Sequence, residues 1–263
     1  MDLQLKGKTA LVLAASKGLG KACAGMLARE GANVVIGARN RDTLESAAAE
    51  IREQAKDVQV LAIPIDVQKT EDAAAFINTA ANQLGAIDIL VNNAGGPPFG
   101  RFESFDEAAW QSAFDLNLLS FVRMCRLVIP HMRATGSGRI INIISLSVKT
   151  YLANSVLSTS MRMGVVGMAK MLSNELAPDN ITVNNVAPGL ILTDRVKDSL
   201  PTVQPGGPSL EELLAQRAKD IPLGRIGKPE ELAALVTFLA SPLAGYITGT
   251  TIQVDGGAVK APY

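Results

Sequence analysis

The segment INIISLSVKTYLANSVLSTSMRMG, Ile141 to Gly164, carries many alcohol side chains, one phenol and two nearby cations. An alcohol or a phenol can polarise a carbonyl oxygen or pass a proton to it, and a cation can lower the pKa of a neighbouring phenol. The phenol is Tyr151, and the cations are Lys149 and Arg162. This segment is therefore the first candidate for proton-transfer chemistry.

A second group of residues is typical of a nucleotide phosphate site. The segment LAASKGLG joins an apolar, β-branched run to an alanine-rich run, and Gly18 and Gly20 allow a ligand to approach the backbone closely. A helix that begins there presents free amides and the positive end of its dipole to an anion. The alternative is a simple tight turn, because the pattern G-x-G-x-x-G is interrupted by Cys23.

Two basic residues indicate which nucleotide this site would bind. Arg39 lies nineteen residues after Gly20, where an acidic residue would bind a ribose 2′-hydroxyl. An arginine there, together with Lys17 in the glycine turn, can hold a 2′-phosphate through charge-assisted hydrogen bonds. The alternative is that both are solvated surface charges. Two cations at the expected ends of neighbouring strands favour NADP(H) over NAD(H).

The elements that must position these residues alternate along the chain. Apolar runs predict strands over Thr9–Leu13, Asn33–Ile36, Val58–Ile63, Ile87–Val91, Arg139–Ile144, Ile181–Val186 and Thr251–Val254. Helical patterns lie between them, ending at about Glu30 and covering Thr43–Gln54, Thr70–Leu84, Asp106–Met132, Ser155–Leu176, Leu210–Lys219 and Pro229–Leu239. This alternation predicts an α/β fold, a doubly wound parallel sheet with helices on both faces.

No shift in composition marks a domain boundary, so we expect one domain over residues 1–263. A segment rich in Pro and Gly follows the sixth strand. It is expected to be a lid or substrate loop at about 193–220, although it could instead be a tolerated surface insertion.

Composition limits the classes of partner that the protein can bind and the cellular compartment in which we expect it. Lys plus Arg and Asp plus Glu number 25 each, so no net charge favours nucleic acid or an anionic membrane. There is no signal-peptide pattern, and no apolar run approaches the roughly 20 residues of a spanning helix. Cys23 and Cys125 are expected to be buried thiols, and the lone His131 excludes a histidine metal cluster. We expect a cytoplasmic protein without a metal.

Several motifs occur in order along the chain. They are the glycine turn, Asn92-Asn93-Ala94-Gly95, FDLNLLS, a serine closing the fifth strand, VNNVAPGLILT and IQVDGG. Together they resemble the short-chain dehydrogenase/reductase family, collinearly over essentially the whole chain. The resemblance implies a single seven-stranded Rossmann-type domain, a nicotinamide cofactor, a small-molecule substrate and a homotetramer or homodimer.

The resemblance also implies a set of cofactor-binding positions. Asp66 would contact the adenine, Asn93 and Gly95 the adenosine side, and the segment after the sixth strand the nicotinamide end. The full set is Ser16, Lys17, Gly18, Leu19, Gly20, Arg39, Asp66, Val67, Asn93, Ala94, Gly95, Arg162, Pro188, Gly189, Ile191 and Thr193.

The glycine turn departs from the family at one position. The first glycine of the family's turn is Ala14 here, and a methyl group disfavours positive φ. We therefore expect a turn that alanine allows, or one that is slightly shifted.

Four family positions carry the reaction, and two of them match. Asn117 and Ser145 fall at the family's Asn and Ser, but the Tyr position is Ser158 and the Lys position is Arg162. A serine is a far weaker acid than a phenol and reaches less far. An arginine stays protonated, so it can bond ribose hydroxyls and stabilise an oxyanion but cannot relay a proton.

The sequence leaves two possible sources for the proton: a substitute phenol or a water molecule. Tyr151 could point into the cavity, although a surface tyrosine is the alternative, and a water held by Ser158 and Arg162 could act instead. Dienoyl-CoA reductases in the family also have Ser at the Tyr position. They keep the Lys, however, and their Tyr position corresponds to Ser147 here.

We expect an NADP(H)-dependent oxidoreductase that reduces a carbonyl (a ketone, an aldehyde or a 3-oxoacyl-like group) by an altered proton route. Two alternatives remain: a nucleotide-binding protein without dehydrogenase activity, and a reductase of a conjugated C=C bond. The cavity segments carry few charges, which favours a small or apolar substrate over a large anionic one.

Overall fold

The strands of the computed structural model, which describes residues 1–198, 200 and 207–260, build one sheet. They are β1 Thr9–Leu13, β2 Asn33–Ala38, β3 Val60–Pro64, β4 Ile89–Asn92, β5 Gly138–Ile143, β6 Ile181–Pro188 and β7 Thr251–Val254. Within the described chain the order is β3-β2-β1-β4-β5-β6-β7, and every pair is parallel. The predicted seven-stranded parallel sheet is confirmed. The strand order reverses between β1 and β4, where such sheets bind ligands.

The helices are α1 Gly18–Arg29, α2 Arg41–Gln54, α3 Thr70–Leu84, α4 Glu107–Phe114, α5 Ser120–Thr135, α6 Val156–Glu175, α7 Asp194–Asp198, α8 Leu210–Ala218 and α9 Pro229–Ala240. Side chains of β1 alternate between two apolar layers, as the two-residue period of a strand requires. Ala10 and Val12 pack in the layer that includes residues of α1, α2 and α9. Leu11 and Leu13 pack in the layer that includes residues of α3, α5 and α6. The core thus lies on both faces of the sheet, as predicted.

The helix predicted over Asp106–Met132 is helical from Glu107 to Thr135, but it is not α-helical throughout. A π-helical turn, Asp115–Leu119, separates α4 from α5. The Ser120 hydroxyl donates to the Leu116 carbonyl at 2.6 Å. The side-chain amide of Asn117 points away from the helix and donates to the Gly95 carbonyl at 2.8 Å. Because π-turns insert a residue into a helix, this one turns Asn117 into the buried interior.

The two thiols lie in the core, as expected. Cys23 and Cys125 are both buried and unpaired. Burial raises the pKa of each thiol to about 12, so both stay protonated.

The segment expected to form a lid, at about 193–220, is described only in part. Its residues 199 and 201–206 lie outside the described residues, and its described portion includes α7 and α8. Among the residues described, no helix combines the length and apolarity needed to cross a membrane.

Candidate active site

The turn between β1 and α1 contradicts one expectation, because Ala14 takes a positive φ of 48°. Neighbouring groups hold it there. The Ala15 amide donates to the Gly37 carbonyl at 3.1 Å, and the Asn93 amide lies 3.5 Å from the Ala14 carbonyl oxygen. Gly20 packs so closely that a Cβ on it would lie 2.5 Å from that same oxygen. These contacts override the methyl group's cost of about 1–2 kcal/mol.

The N-terminus of α1 is open to an anion. Lys17 stands at its N-cap with no side-chain cap hydrogen bond, and Ser16 and Leu19 are half-buried beside it. Gly18 has a φ of 59°, and a Cβ there would meet the Thr193 methyl group at 3.5 Å. The fold therefore brings the glycine turn together with the segment that follows β6.

Arg39 and Lys17 are both solvent-exposed cations. Arg39 follows β2, and Lys17 stands at the N-cap of α1. In the described part of the chain, neither of them forms an ion pair with a carboxylate. Both charges are therefore available to a phosphate.

The residues after β3 lie at the same edge of the sheet. Asp66 accepts a hydrogen bond from the Gln68 amide at 3.1 Å, and its own amide donates to Asp72 at 3.2 Å. The carbonyl of Val67 accepts from Arg123 at 2.6 Å. These hydrogen bonds fix the turn after β3. It lies beside the end of β2, the strand that pairs with both β1 and β3.

Three side chains hold four consecutive carbonyl groups after β4. We call this segment, residues 94–97, the carbonyl row. Arg162 Nη2 lies 3.4 Å from its first oxygen, and Asn117 Nδ2 lies 2.8 Å from its second. The third and fourth accept from the two terminal nitrogens of Arg195 at 2.9 and 3.0 Å. The row ties β4 to the π-turn, α6 and α7.

Arg195 is a residue that the sequence reasoning missed. Its guanidinium lies 5.5 Å from the centre of the Phe99 ring, in cation–π geometry. A Cβ on Gly96 would lie 2.7 Å from one of its nitrogens, so a larger residue there would displace the guanidinium. The available signal was an arginine two residues after Thr193, in a segment expected to border the ligand.

The Arg162 side chain is only 4% exposed. Its Nη1 donates to the Ile143 carbonyl at 2.8 Å, and the guanidinium lies 5.3 Å from the centre of the Phe121 ring. Among the described residues, its Nε finds no hydrogen-bond partner. Burial, and secondarily the charge of Arg195, lower the pKa of Arg162 to about 10, so it is charged at neutral pH. It fastens the end of β5 to the carbonyl row.

Ser145 and Ser158 both precede this cation in the sequence, by seventeen and by four residues. Ser145 follows β5 in extended backbone, and its Oγ accepts from the Ser147 amide at 3.2 Å, which leaves its own hydrogen free to donate. Ser158 is half-buried in the first turn of α6. It precedes Arg162 by one helical turn, so the two share a face.

Tyr151 lies away from these groups. Its side chain is 89% exposed. It lines a cavity with Ser155 and Thr159, and neither Ser145 nor Ser158 lines that cavity. This placement agrees with the alternative of a surface tyrosine.

The segment after β6 is packed against the end of β7. The Gly189 amide, directly after Pro188, donates to the Val254 carbonyl at 2.9 Å. A Cβ on Gly189 would lie 2.8 Å from the Cα of Asp255. Ile191 is buried and bridges to Gly227. These contacts fix the segment before Thr193, whose methyl group lies next to Gly18 of the glycine turn.

A row of amide side chains crosses the sheet, and the sequence reasoning did not foresee it. Asn92 donates to Asn142 at 2.9 Å, Asn142 donates to Asn185 at 2.9 Å, and Asn185 donates to Thr251 at 3.1 Å. We call these four residues the asparagine ladder. All three asparagines are buried. The ladder runs from the carboxyl ends of β4 and β5 through the middle of β6 to the first residue of β7.

A family model described as enoyl-(acyl carrier protein) reductase matches residues 13–259. The 3-oxoacyl-(acyl-carrier-protein) reductase of Vibrio harveyi is 36% identical over 255 residues, 97% of this chain and 98% of that protein.

Two solved structures are similar over nearly their full length. L-Sorbose reductase from Gluconobacter frateurii, complexed with NADPH and L-sorbose, has a TM-score of 0.95 and 35% identity, covering 99% of this chain and 100% of that one. YwfH, an NADPH-dependent reductase involved in bacilysin biosynthesis, has a TM-score of 0.90 and 33% identity, covering 97% and 99%. These relatives agree with the predicted cofactor, NADP(H). The chain belongs to the short-chain dehydrogenase/reductase family of oxidoreductases.

Proposed function

We propose that this protein reduces a ketone, an aldehyde or a 3-oxoacyl-like carbonyl with NADPH. The observation that carries the proposal is the placement of two groups at the carboxyl end of β5. They are Ser145, which has a free hydroxyl hydrogen, and the charged Arg162, which donates to the Ile143 carbonyl. The names of the similar reductases, one acting on a 3-oxoacyl group and one complexed with a ketose, support a carbonyl substrate.

The residues present fit the cofactor. The uncapped N-terminus of α1 can hold the pyrophosphate, and Lys17 and Arg39 can hold the 2′-phosphate because no carboxylate among the described residues neutralises them. Asp66, Asn93 and Gly95 would contact the adenosine side, and Gly189 and Thr193 the nicotinamide side. When bound, NADPH supplies the hydride that the carbonyl carbon accepts.

Ser158 and Arg162 take the places of the family's tyrosine and lysine in this proposal. Ser145 donates a hydrogen bond to the substrate oxygen, and Arg162 places a fixed positive charge near it as negative charge develops. Since Arg162 cannot relay a proton at neutral pH, the proton comes from solvent, through a water bound at Ser158. Asn117 holds the carbonyl row in position through Gly95.

Replacement of Ser145 tests this proposal. In Ser145→Ala, kcat for NADPH oxidation with the best of a panel of ketones, aldehydes and 3-oxoacyl thioesters should fall by about 100-fold, because one oxyanion donor is lost. Ser112→Ala, an exposed serine on α4, is the control and should leave kcat unchanged. Unchanged turnover in Ser145→Ala, with NADPH binding demonstrated, would refute this role.

A second candidate is a nucleotide-binding protein without dehydrogenase activity. The exposure of Tyr151 favours it, because Tyr151 then does not supply a phenol beside Ser145. The variant Ser158→Tyr with Arg162→Lys separates the two candidates. Carbonyl reduction that appears only in this double variant supports the second candidate, whereas reduction by the unmodified protein supports the first.

We also propose a single domain over residues 1–263, acting in the cytoplasm as a homodimer or homotetramer, with the described part of the segment 193–220 bordering the substrate. Exposed apolar side chains on α4 and α6, those of Phe114, Met163 and Met171, support self-association. Light scattering on the purified protein tests this point, and a monomer at micromolar concentration would contradict it.

A further inference from the structure

Two arginine side chains bind the carbonyl row at its two ends. Arg162 lies at the first oxygen and Arg195 binds the third and fourth, and the row itself spans at most about 10 Å. Burial first, and then the charge of Arg195, lower the pKa of Arg162, which places the two guanidinium groups within electrostatic reach of each other. Like charges this close repel each other, so an anion bound near them would stabilise both.

Among the residues that the structure describes, no carboxylate of the protein compensates these two charges. Neither Arg162 nor Arg195 forms a salt bridge there, and their hydrogen bonds go to backbone carbonyl groups. The neighbouring acid, Asp194, pairs with Lys197 at 3.8 Å, and residues 199–209 contain no Asp or Glu. Charges withdrawn from solvent are usually paired, so an anionic group of a ligand is the natural partner of this positive region.

Arg195 is the member of the pair that a ligand can reach. It is exposed, whereas Arg162 is buried and its hydrogen bonds go to the protein. The hydrogen bonds of Arg195 to the carbonyl row use two of the five N–H groups of a guanidinium. The Phe99 ring beside it is 58% exposed and offers an apolar surface to a carbon chain. This corner of the site can therefore hold a short chain with an anionic end.

The contacts of the carbonyl row also connect Arg195 to the reacting groups. Thr193, two residues before Arg195, lies next to the glycine turn. At the other end of the row, Arg162 donates to the carbonyl of Ile143, two residues before Ser145. Because the row is short, a carbonyl group at Ser145 and an anionic group at Arg195 can belong to one small molecule.

We propose that the substrate is a small oxo acid, whose carboxylate binds to Arg195 while its carbonyl group meets Ser145. The assignment rests on the proposed function, because it names the class of that function's substrate. A planar fork of N–H groups with one unit charge matches a monocarboxylate, which accepts charge-assisted hydrogen bonds from it. A small monoanion also agrees with the few charges of the cavity segments. Arg195 is thus a specificity-determining residue rather than a proton donor.

Paired substrates that differ in charge test this assignment. A panel of 2-oxo, 4-oxo and 5-oxo acids is compared with the corresponding methyl esters. For the best pair, kcat/KM with NADPH should favour the acid by at least about tenfold, and Arg195→Gln should remove most of this preference because a charge-assisted hydrogen bond is lost. Arg195→Lys, which keeps the charge, should retain part of it. Arg126→Gln, at an exposed arginine on α5, controls for net charge and should leave the acid-to-ester ratio unchanged.

The acid-to-ester ratio separates recognition from a structural effect. If Arg195→Gln only loosened α7, kcat/KM would fall for acid and ester together and the ratio would stay the same. Reduction of the ester as efficiently as the acid, or an acid preference that survives in Arg195→Gln, overturns the site and leaves the proposed function standing.

Direct binding tests the site without requiring turnover. Hexanoate, which has no ketone or aldehyde group to reduce, is titrated into the NADPH-saturated protein and followed by calorimetry. Its affinity should fall by about tenfold in Arg195→Gln and stay unchanged in Arg126→Gln. Hexanoate binding that depends on Arg195, without reduction of any carbonyl compound, upholds the site and refutes the proposed function. Binding that Arg195→Gln leaves unchanged overturns the site.

Discussion

At the scale of single residues, the backbone of Ala14 adopts a conformation that alanine disfavours, because the surrounding packing requires it. Its left-handed conformation costs about 1–2 kcal/mol for a residue with a Cβ. The turn keeps this conformation because Gly20 and the Ala15–Gly37 hydrogen bond fix the backbone on either side. The sequence could not predict it, because alanine's intrinsic preference points the other way.

We expect Ala14→Gly to stabilise the protein by about 0.5–1 kcal/mol. The substitution relieves the strain at positive φ, and the greater freedom of glycine in the unfolded chain offsets part of the gain. Urea denaturation at constant m-value measures the change. Ala15→Gly is the control, because Ala15 is buried and has no positive φ, and it should destabilise. A loss of stability in Ala14→Gly would show that the methyl group is not strained.

The charge of Arg162 predicts a pH dependence. Its pKa of about 10 means that the charge is present below pH 10 and is lost as the pH rises through that value. If Arg162 stabilises the oxyanion, kcat/KM should fall only near pH 10. A lysine starts from a pKa near 10.4, and the same burial would lower it further. In Arg162→Lys the alkaline fall of kcat/KM should therefore move down by at least about one pH unit; an unmoved profile would exclude Arg162 as the source.

At the scale of elements, the position of α7 depends on the carbonyl row. Arg195 binds two of its oxygens from 99 and 98 residues away along the chain. No local sequence pattern predicts such a contact, because the residues around Arg195 carry no information about the distant carbonyl groups that it binds. The π-turn escaped prediction for the same reason: the apolar pattern runs on through it, and the Asn117–Gly95 contact joins two distant segments. By contrast, the strands are continuous apolar runs, which local sequence does specify.

Removal of Arg195 should free α7. In Arg195→Leu, amide hydrogen exchange over residues 193–198 should become about tenfold faster, because two hydrogen bonds and a cation–π contact are lost. Mass spectrometry of the exchanged peptides gives the measurement. Arg126→Leu, an exposed arginine on α5, is the control and should leave this region unchanged. Equal exchange in the two variants would mean that Arg195 does not hold α7.

At the scale of the whole molecule, the asparagine ladder joins four of the seven strands. Asn142 is its central member, since it accepts from Asn92 and donates to Asn185. Its loss would leave polar groups of two other asparagines buried without these partners. The sequence contains every asparagine of the ladder, but it does not show that they come into line. That depends on how the parallel strands pair.

We expect Asn142→Leu, which conserves size, to lower the free energy of unfolding by about 2–4 kcal/mol. Urea denaturation or the thermal midpoint measures the loss. Asn174→Leu, an exposed position on α6, should change it by less than about 0.5 kcal/mol. A loss below about 1 kcal/mol in Asn142→Leu would mean that the ladder contributes little to stability.

The ladder also bears on how the strands choose their pairing. β4 and β5 are buried along their whole length and β6 along nearly all of it, so an inside–outside alternation cannot reject a register shifted by one residue. Asn92 pairs in register with Asn142, Asn142 with Asn185, and Asn185 with Thr251. If any of these strands slipped by one residue, these amides would be buried in an apolar core without hydrogen-bond partners. Each unsatisfied amide would cost about 1–3 kcal/mol of stability. The ladder thus favours the one register of these strands that brings Ser145, after β5, and Asn93, after β4, to the same edge of the sheet.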